Sequence, residues 1–118
     1  MSYPFERNGE TLWDAGYSSG QMYAALAGGA AEFLRLPSGL TDTPQGSCEV
    51  DPVAFRAFVA QLYKLYASTG NDVLQGLTHD LLVTSLVLLD RAGEGITLDP
   101  EHETALQAQK ARLARCMA

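Results

Sequence analysis

Hydrophobic residues recur at intervals of three or four positions in four segments of the chain. In the second segment this spacing joins Phe55, Phe58 and Leu62, and it places their side chains on one face of an α-helix. The pattern therefore predicts four helices. They span residues 18–36, 52–69, 72–92 and 100–117.

Residues that favour helix starts support these boundaries. Asp51-Pro52 and Asp99-Pro100 each combine an aspartate that can accept hydrogen bonds from the first turn with a proline that needs no hydrogen-bond partner for its nitrogen. Asn71 is placed to cap the third helix in the same way. Ser18 and Gln21 have the spacing of a capping box, which predicts that the first helix begins at Ser18.

The first helix has both a large apolar stripe and a run of small residues. The run, residues 27–31, predicts that a neighbouring backbone packs closely against this helix. The stripe predicts the buried face. Its members are Met22, Tyr23, Leu26, Ala30, Phe33 and Leu34.

The third helix is apolar on almost every side between Leu81 and Leu89. A helix of this kind is typical of a position surrounded by other helices, so we expect it at the centre of the core. The short connection around Gly70 makes the second and third helices antiparallel neighbours.

Two segments do not fit a plain bundle. Asn8-Gly9 is a common two-residue turn, and it predicts a short β-hairpin near the N-terminus. Residues 37–50 form a connection longer than most bundle loops, which either crosses over the helices or carries function.

Composition favours helix over sheet. Alanine and leucine contribute 33 residues, whereas valine and isoleucine contribute seven, and β-branched side chains are the ones that lose rotamer freedom in a helix. At 118 residues the chain is expected to form one domain, residues 1–118. The predicted fold class is all-α, a compact four-helix bundle with a short N-terminal β-hairpin.

Charge narrows the classes of partner. Fourteen acidic residues against eight lysines and arginines give a net charge of −6, which disfavours nucleic acid as a partner because phosphate binding needs clustered cations.

The N-terminus has no secretory signal pattern. The longest apolar stretch, Leu81–Leu89, is shorter than the roughly 20 residues of a membrane span. We therefore expect a cytoplasmic protein with no membrane partner, in which Cys48 and Cys116 are free thiols.

Several short motifs resemble a known family. They are Leu12-Trp13, Leu36-Pro37-Ser38-Gly39-Leu40, and Cys48-Glu49-Val50-Asp51 leading into Phe55 and Phe58. Together they are similar to a family of small uncharacterised actinobacterial helical proteins, a domain of unknown function. The resemblance covers most of the chain, and it implies no catalytic residue because that family has no assigned activity.

Residues for catalysis or metal binding are few. His79 falls on an apolar helix face, and His102 lies in the first turn of the fourth helix between two glutamates. Neither has the spacing that puts two metal ligands on one helix face. Ser38 lies in Pro37-Ser38-Gly39, which is not a nucleophile elbow. We expect no metal, no cofactor and, on balance, no enzymatic activity.

The remaining candidate is a binding surface. Asp42 and Glu49 belong to an acidic stretch without a base, and Trp13 and Tyr17 supply aromatic area near the N-terminus. Acidic charge beside exposed aromatic side chains suits a basic protein partner. Aromatic side chains contribute much of the binding energy of an interface, and complementary charge speeds the encounter of the two proteins. The predicted function is a small acidic protein that binds a macromolecular partner, of immunity or accessory type.

An alternative of another class stays open. Tyr23, Tyr63, Tyr66 and His79 could line an interhelical aromatic pocket for a small molecule, as a binder or an enzyme. A large enclosed pocket would favour this reading. The oligomeric state is predicted as monomer or homodimer.

Overall fold

The computed structural model describes residues 1–118 as four helices beside a four-stranded sheet. The chain begins with a β-hairpin, enters a helix, forms a second small hairpin, and ends with three helices. In order, the elements are β1 Ser2–Arg7, β2 Glu10–Gly16, α1 Tyr17–Leu34, β3 Leu40–Asp42, β4 Cys48–Val50, α2 Pro52–Ser68, α3 Asp72–Arg91 and α4 Pro100–Ala114.

The predicted all-α fold class is wrong, because the two hairpins join in one mixed sheet. Its strand order is β2-β1-β4-β3. The outer pairs are antiparallel, and β1 and β4 pair in parallel, with Phe5 opposite Cys48. Residues 37–50 are therefore not a simple crossover, since they contain β3 and β4.

The N-terminal hairpin is confirmed. Asn8 and Gly9 both have positive φ, 51° and 83°, as a two-residue turn of the type that matches strand twist requires. Phe5 then lies opposite Trp13 across the two strands. This register puts the aromatic side chains of both strands on the buried face of the sheet.

An aromatic cluster fills the space between this sheet and α1. Phe5 is fully buried, stacks on Trp13 at 5.0 Å between ring centroids, and meets the rings of Tyr3 and Tyr23 edge-on at 5.5 Å. The cluster belongs to a single core of 25 buried apolar residues that also includes the inner faces of all four helices. Sheet and helices thus share one core.

The orientation of α1 differs from the prediction. Its buried residues are Gly20, Tyr23, Ala27 and Ala31. A Cβ atom at Gly20 would lie 2.9 Å from the ring of Tyr3, so only glycine permits this close packing of helix on sheet. Of the six residues of the predicted stripe only Tyr23 is buried.

The start of α1 also differs. The helix begins at Tyr17 rather than Ser18, and Gly16 precedes it without a side-chain hydrogen bond to the first turn. The predicted capping box at Ser18 and Gln21 is therefore wrong.

The other helices follow the prediction closely. Asp51 accepts hydrogen bonds from the backbone nitrogens of Val53 and Ala54, and Asn71 caps α3 through Leu74. Asp99 makes no cap bond and instead accepts from the Tyr63 hydroxyl at 2.9 Å. The central position of α3 is confirmed, since its buried residues are Thr78, Leu82, Val83, Ser85, Leu86, Val87, Leu88 and Leu89.

A matched pair of leucines tests this packing. Leu82 is 0% exposed and Leu77 is 73% exposed on the same helix. Leu82→Ala should lower the free energy of unfolding by about 2–5 kcal/mol, because it removes buried methyl groups and leaves a cavity. Leu77→Ala should change it by no more than about 0.5 kcal/mol. Urea denaturation followed by circular dichroism measures both, and equal losses would contradict the described orientation of α3.

Candidate functional site

The acidic residues predicted for the partner site have partners inside the chain. Asp42 accepts a hydrogen bond from the Tyr3 hydroxyl at 2.7 Å, and Glu49 accepts one from the backbone nitrogen of Asn8 at 2.9 Å. Both contacts join the second hairpin to the first. The two carboxylates thus connect parts of the sheet, although Asp42 is itself exposed.

The aromatic residues predicted for the same site are divided between core and surface. Trp13 is only 8% exposed and packs on Phe5, whereas Tyr17 is 47% exposed and meets the Tyr3 ring edge-on. Tyr3 therefore contacts both Tyr17 and Asp42. The structure brings these two predicted site residues to one neighbourhood and leaves Trp13 inside the core.

The four residues of the alternative pocket do not come together. Tyr23 belongs to the aromatic cluster under the sheet, and its hydroxyl is 2.7 Å from the Ser85 hydroxyl. The other three lie between α2, α3 and α4. There the Tyr66 ring approaches both His79 and His102, at 5.9 and 5.7 Å between ring centroids, and Tyr63 also meets His102.

Five large apolar side chains are exposed on the outer faces of α1 and α3. Met22, Leu26 and Phe33 lie on α1, and Val73 and Leu77 lie on α3, with exposed fractions from 54% to 73%. We call these five residues the α1–α3 strip. Scattered exposed apolar residues are ordinary, but several on two neighbouring helices indicate a contact surface.

Two hollows lie along this strip. One, of about 360 Å³, is lined by Trp13, Met22 and Tyr23 together with residues of α3 and the C-terminal segment. The other, of about 350 Å³, is lined almost entirely by apolar residues of α1, α2 and α3. Leu26 and Leu81 line both, so the hollows adjoin.

Two glycines of α1 have no packing role within the chain. Each glycine in a helix interior costs about 1 kcal/mol relative to alanine. A Cβ atom at Gly28 or Gly29 would meet nothing within 4 Å. The small run predicted to admit a close neighbour does bury Ala27 and Ala31, whereas its glycines face open space.

Charged residues are sparse on α1, whereas α3 contains Asp72, Asp80, Asp90 and Arg91. Residues 17–34 contain no lysine or arginine and a single acid, Glu32. On α3, Asp80 is exposed beside the first hollow, and the one cation is Arg91, which donates to the backbone oxygens of Leu12 and Ala114. The strip therefore has an apolar surface with acidic edges.

The structure has no cluster of metal-ligating side chains, and one helix has a composition compatible with a membrane. No group of three or more histidine, cysteine, aspartate or glutamate side chains lies close enough together to hold a metal ion. By length and composition, α3 could cross a membrane, with 44% of its most apolar window buried. This is a weak indication, because the core helix of a soluble protein has the same properties.

Burial perturbs three titratable groups beneath the sheet. It raises the pKa of the Cys48 thiol to about 11. It also raises the pKa of the Tyr3 and Tyr23 hydroxyls well above the usual value, and for Tyr3 the nearby Asp42 carboxylate adds to the effect. These groups therefore stay protonated and neutral at physiological pH.

The comparisons with known proteins give a family without an assigned activity. The family model described as "Family of unknown function (DUF6086)" matches residues 1–118. No curated protein and no solved structure matches. The resemblance noted from the sequence motifs is confirmed as far as a family of unknown function.

The raised pKa values predict alkaline sensitivity. Above pH of about 9 the unfolded chain loses protons from cysteine and then tyrosine, while the folded chain keeps them. The free energy of unfolding should therefore fall as pH rises from about 9 to 11, and the fall should be shallower in Cys48→Ala. Denaturant titrations across this pH range measure it, with Cys116→Ala as the control. A Cys48→Ala slope equal to that of the unmodified chain would contradict the assignment.

Proposed function

We propose that this chain, which belongs to the Family of unknown function (DUF6086), is a small acidic protein that binds another protein through its α1–α3 strip. The observation that carries the proposal is the outward position of Met22, Leu26 and Phe33 on α1 beside Leu77 on α3. Covering such side chains releases roughly 25 cal/mol per Å² of apolar surface, which is the usual driving force of protein association.

The location of the proposed surface differs from the acidic loop suggested by the sequence. Asp42 and Glu49 already have hydrogen-bond partners within the sheet. A partner that competed for them would have to replace these bonds. The strip residues, in contrast, have exposed apolar surface that only an external partner can cover.

The size and charge of the chain support a role as a companion protein. A domain of 118 residues with a net charge of −6 fits an immunity or accessory protein that binds a basic partner in the cytoplasm. The sequence resemblance also leads us to propose an actinobacterial source, which determines the cell extract to be used.

Variant-dependent capture tests the proposal. The chain, the double variant Phe33→Ser/Leu77→Ser and the single variant Val53→Ser are each immobilised and exposed to the cell extract. The proteins that each one retains are then compared. Val53 is 69% exposed but lines neither hollow, so it is the matched control. We expect the unmodified chain and Val53→Ser to retain at least one protein in equal amount. The double variant should retain at least about tenfold less of it, because a loss of about 1.4 kcal/mol in binding free energy gives that factor.

Two outcomes would contradict the proposal. One is that no protein is retained above the level of an empty resin. The other is that the double variant retains the same proteins as the unmodified chain. Because both substituted side chains are exposed, circular dichroism should show that the double variant keeps its fold.

A further inference from the structure

The two hollows adjoin at Leu26 and Leu81 between α1 and α3, and we call them together the groove. At one end the Tyr23 hydroxyl meets the Ser85 hydroxyl and links the two helices. At the other end Phe33, late in α1, and Leu77, early in α3, both line the second hollow. The two helices therefore run in opposite directions on either side of the groove.

The length of the groove matches a short helix. Met22 and Phe33 are eleven positions apart, which is about 16 Å along α1, or three helical turns. The floor of the second hollow includes Leu62 and Leu65 of α2. A depression between two antiparallel helices with a third helix beneath it is the surface on which a further helix packs, through ridges and grooves of side chains.

The groove wall on α1 permits a close approach. Ala25 and Gly29 both line the second hollow, and a Cβ atom at Gly29 would meet nothing within 4 Å. Small residues spaced by four positions let another helix come near. Gly28 is adjacent in sequence but lines neither hollow.

The edges of the groove are acidic. Glu32 is exposed next to Phe33 on α1. The side chain of Asp80 is 91% exposed on α3, and one of its oxygens lies 2.8 Å from Nδ1 of the neighbouring His79. Three cations lie close in sequence to residues that line the hollows: Arg35 follows α1, and Arg112 and Arg115 adjoin Leu113 and Cys116. A second copy of this chain would bring the same acids and the same net charge of −6 to the contact, which opposes self-association.

From these observations we infer that the occupant of the groove is an amphipathic α-helix of a partner protein, with lysine or arginine on the edges of its apolar face. The inference rests on the proposed function and identifies the chemistry of its partner. Leucine-sized side chains of the occupant cover Leu26 and Leu77, and its cations lie near Glu32 and Asp80.

Three synthetic peptides of about four turns test the inference. The first has leucines at i, i+3, i+7 and i+10 with lysines beside them; the second has glutamates in place of the lysines; the third is the lysine peptide with a central proline. Trp13, the one tryptophan of the chain, lines the groove, so its fluorescence reports binding. We expect the lysine peptide to bind at least tenfold more tightly than either of the others. Equal affinities would overturn the inference.

Variants of the chain locate the binding. Gly29→Gln should weaken binding of the lysine peptide at least tenfold, whereas Gly28→Gln should change it less than twofold. Glu32→Lys/Asp80→Lys should reverse the preference in favour of the glutamate peptide. Glu10→Lys/Glu103→Lys changes the net charge by the same amount away from the groove and should leave the preference unchanged.

The outcomes separate this inference from the proposed function. If no peptide binds but capture still depends on Phe33 and Leu77, the helical occupant is wrong and the protein-binding function stands. If sedimentation shows a dimer that Phe33→Ser/Leu77→Ser abolishes, the occupant is a second copy, and the inference is overturned. If neither peptide binding nor variant-dependent capture is observed, both fail.

Discussion

The close packing of α1 on the first hairpin determines much of the structure. Gly20 lies against the Tyr3 ring, at a distance that leaves no room for a Cβ atom. This contact fixes the rotation of α1 about its axis, so that Tyr23, Ala27 and Ala31 face the core. The large apolar residues on the other side of the helix must then face solvent.

The proposed contact surface is a consequence of this rotation. Burial of the aromatic cluster around Phe5 is favourable enough to leave Met22, Leu26 and Phe33 uncovered in the free chain. The helix α3, which runs antiparallel to α1, likewise leaves Leu77 exposed to solvent, while its opposite face forms the centre of the core. The fold and the proposed contact surface therefore share one cause.

Residues that cap a helix or form a tight turn predicted the helices and the hairpin in which they lie. Asp51, Asn71 and Asn8-Gly9 act within a few residues, so α2, α3 and the first hairpin were foreseen. The strands β3 and β4 were not, because three residues are too few to show a period and their pairing with β1 is a long-range contact.

The site was harder to predict than the elements. Hydrophobicity alone assigns the stripe of Met22 and Leu26 to the core, whereas the contact between Gly20 and Tyr3 rotates the helix so that these two side chains face solvent. Asp42 and Glu49 looked free because the hydroxyl and amide that bind them come from the distant first hairpin. The combination of large apolar residues with Gly29 on one helix was the available signal for an outer contact face.

Chemical-shift mapping by nuclear magnetic resonance tests the central claim most directly. The isotope-labelled chain is titrated with the lysine-bearing helical peptide, and backbone amide shifts are followed residue by residue. We expect the largest changes at Ala25, Gly29 and Leu77, which flank the groove. Changes concentrated instead in residues 40–50, with α1 and α3 unaffected, would contradict the claim that the α1–α3 strip is the contact surface.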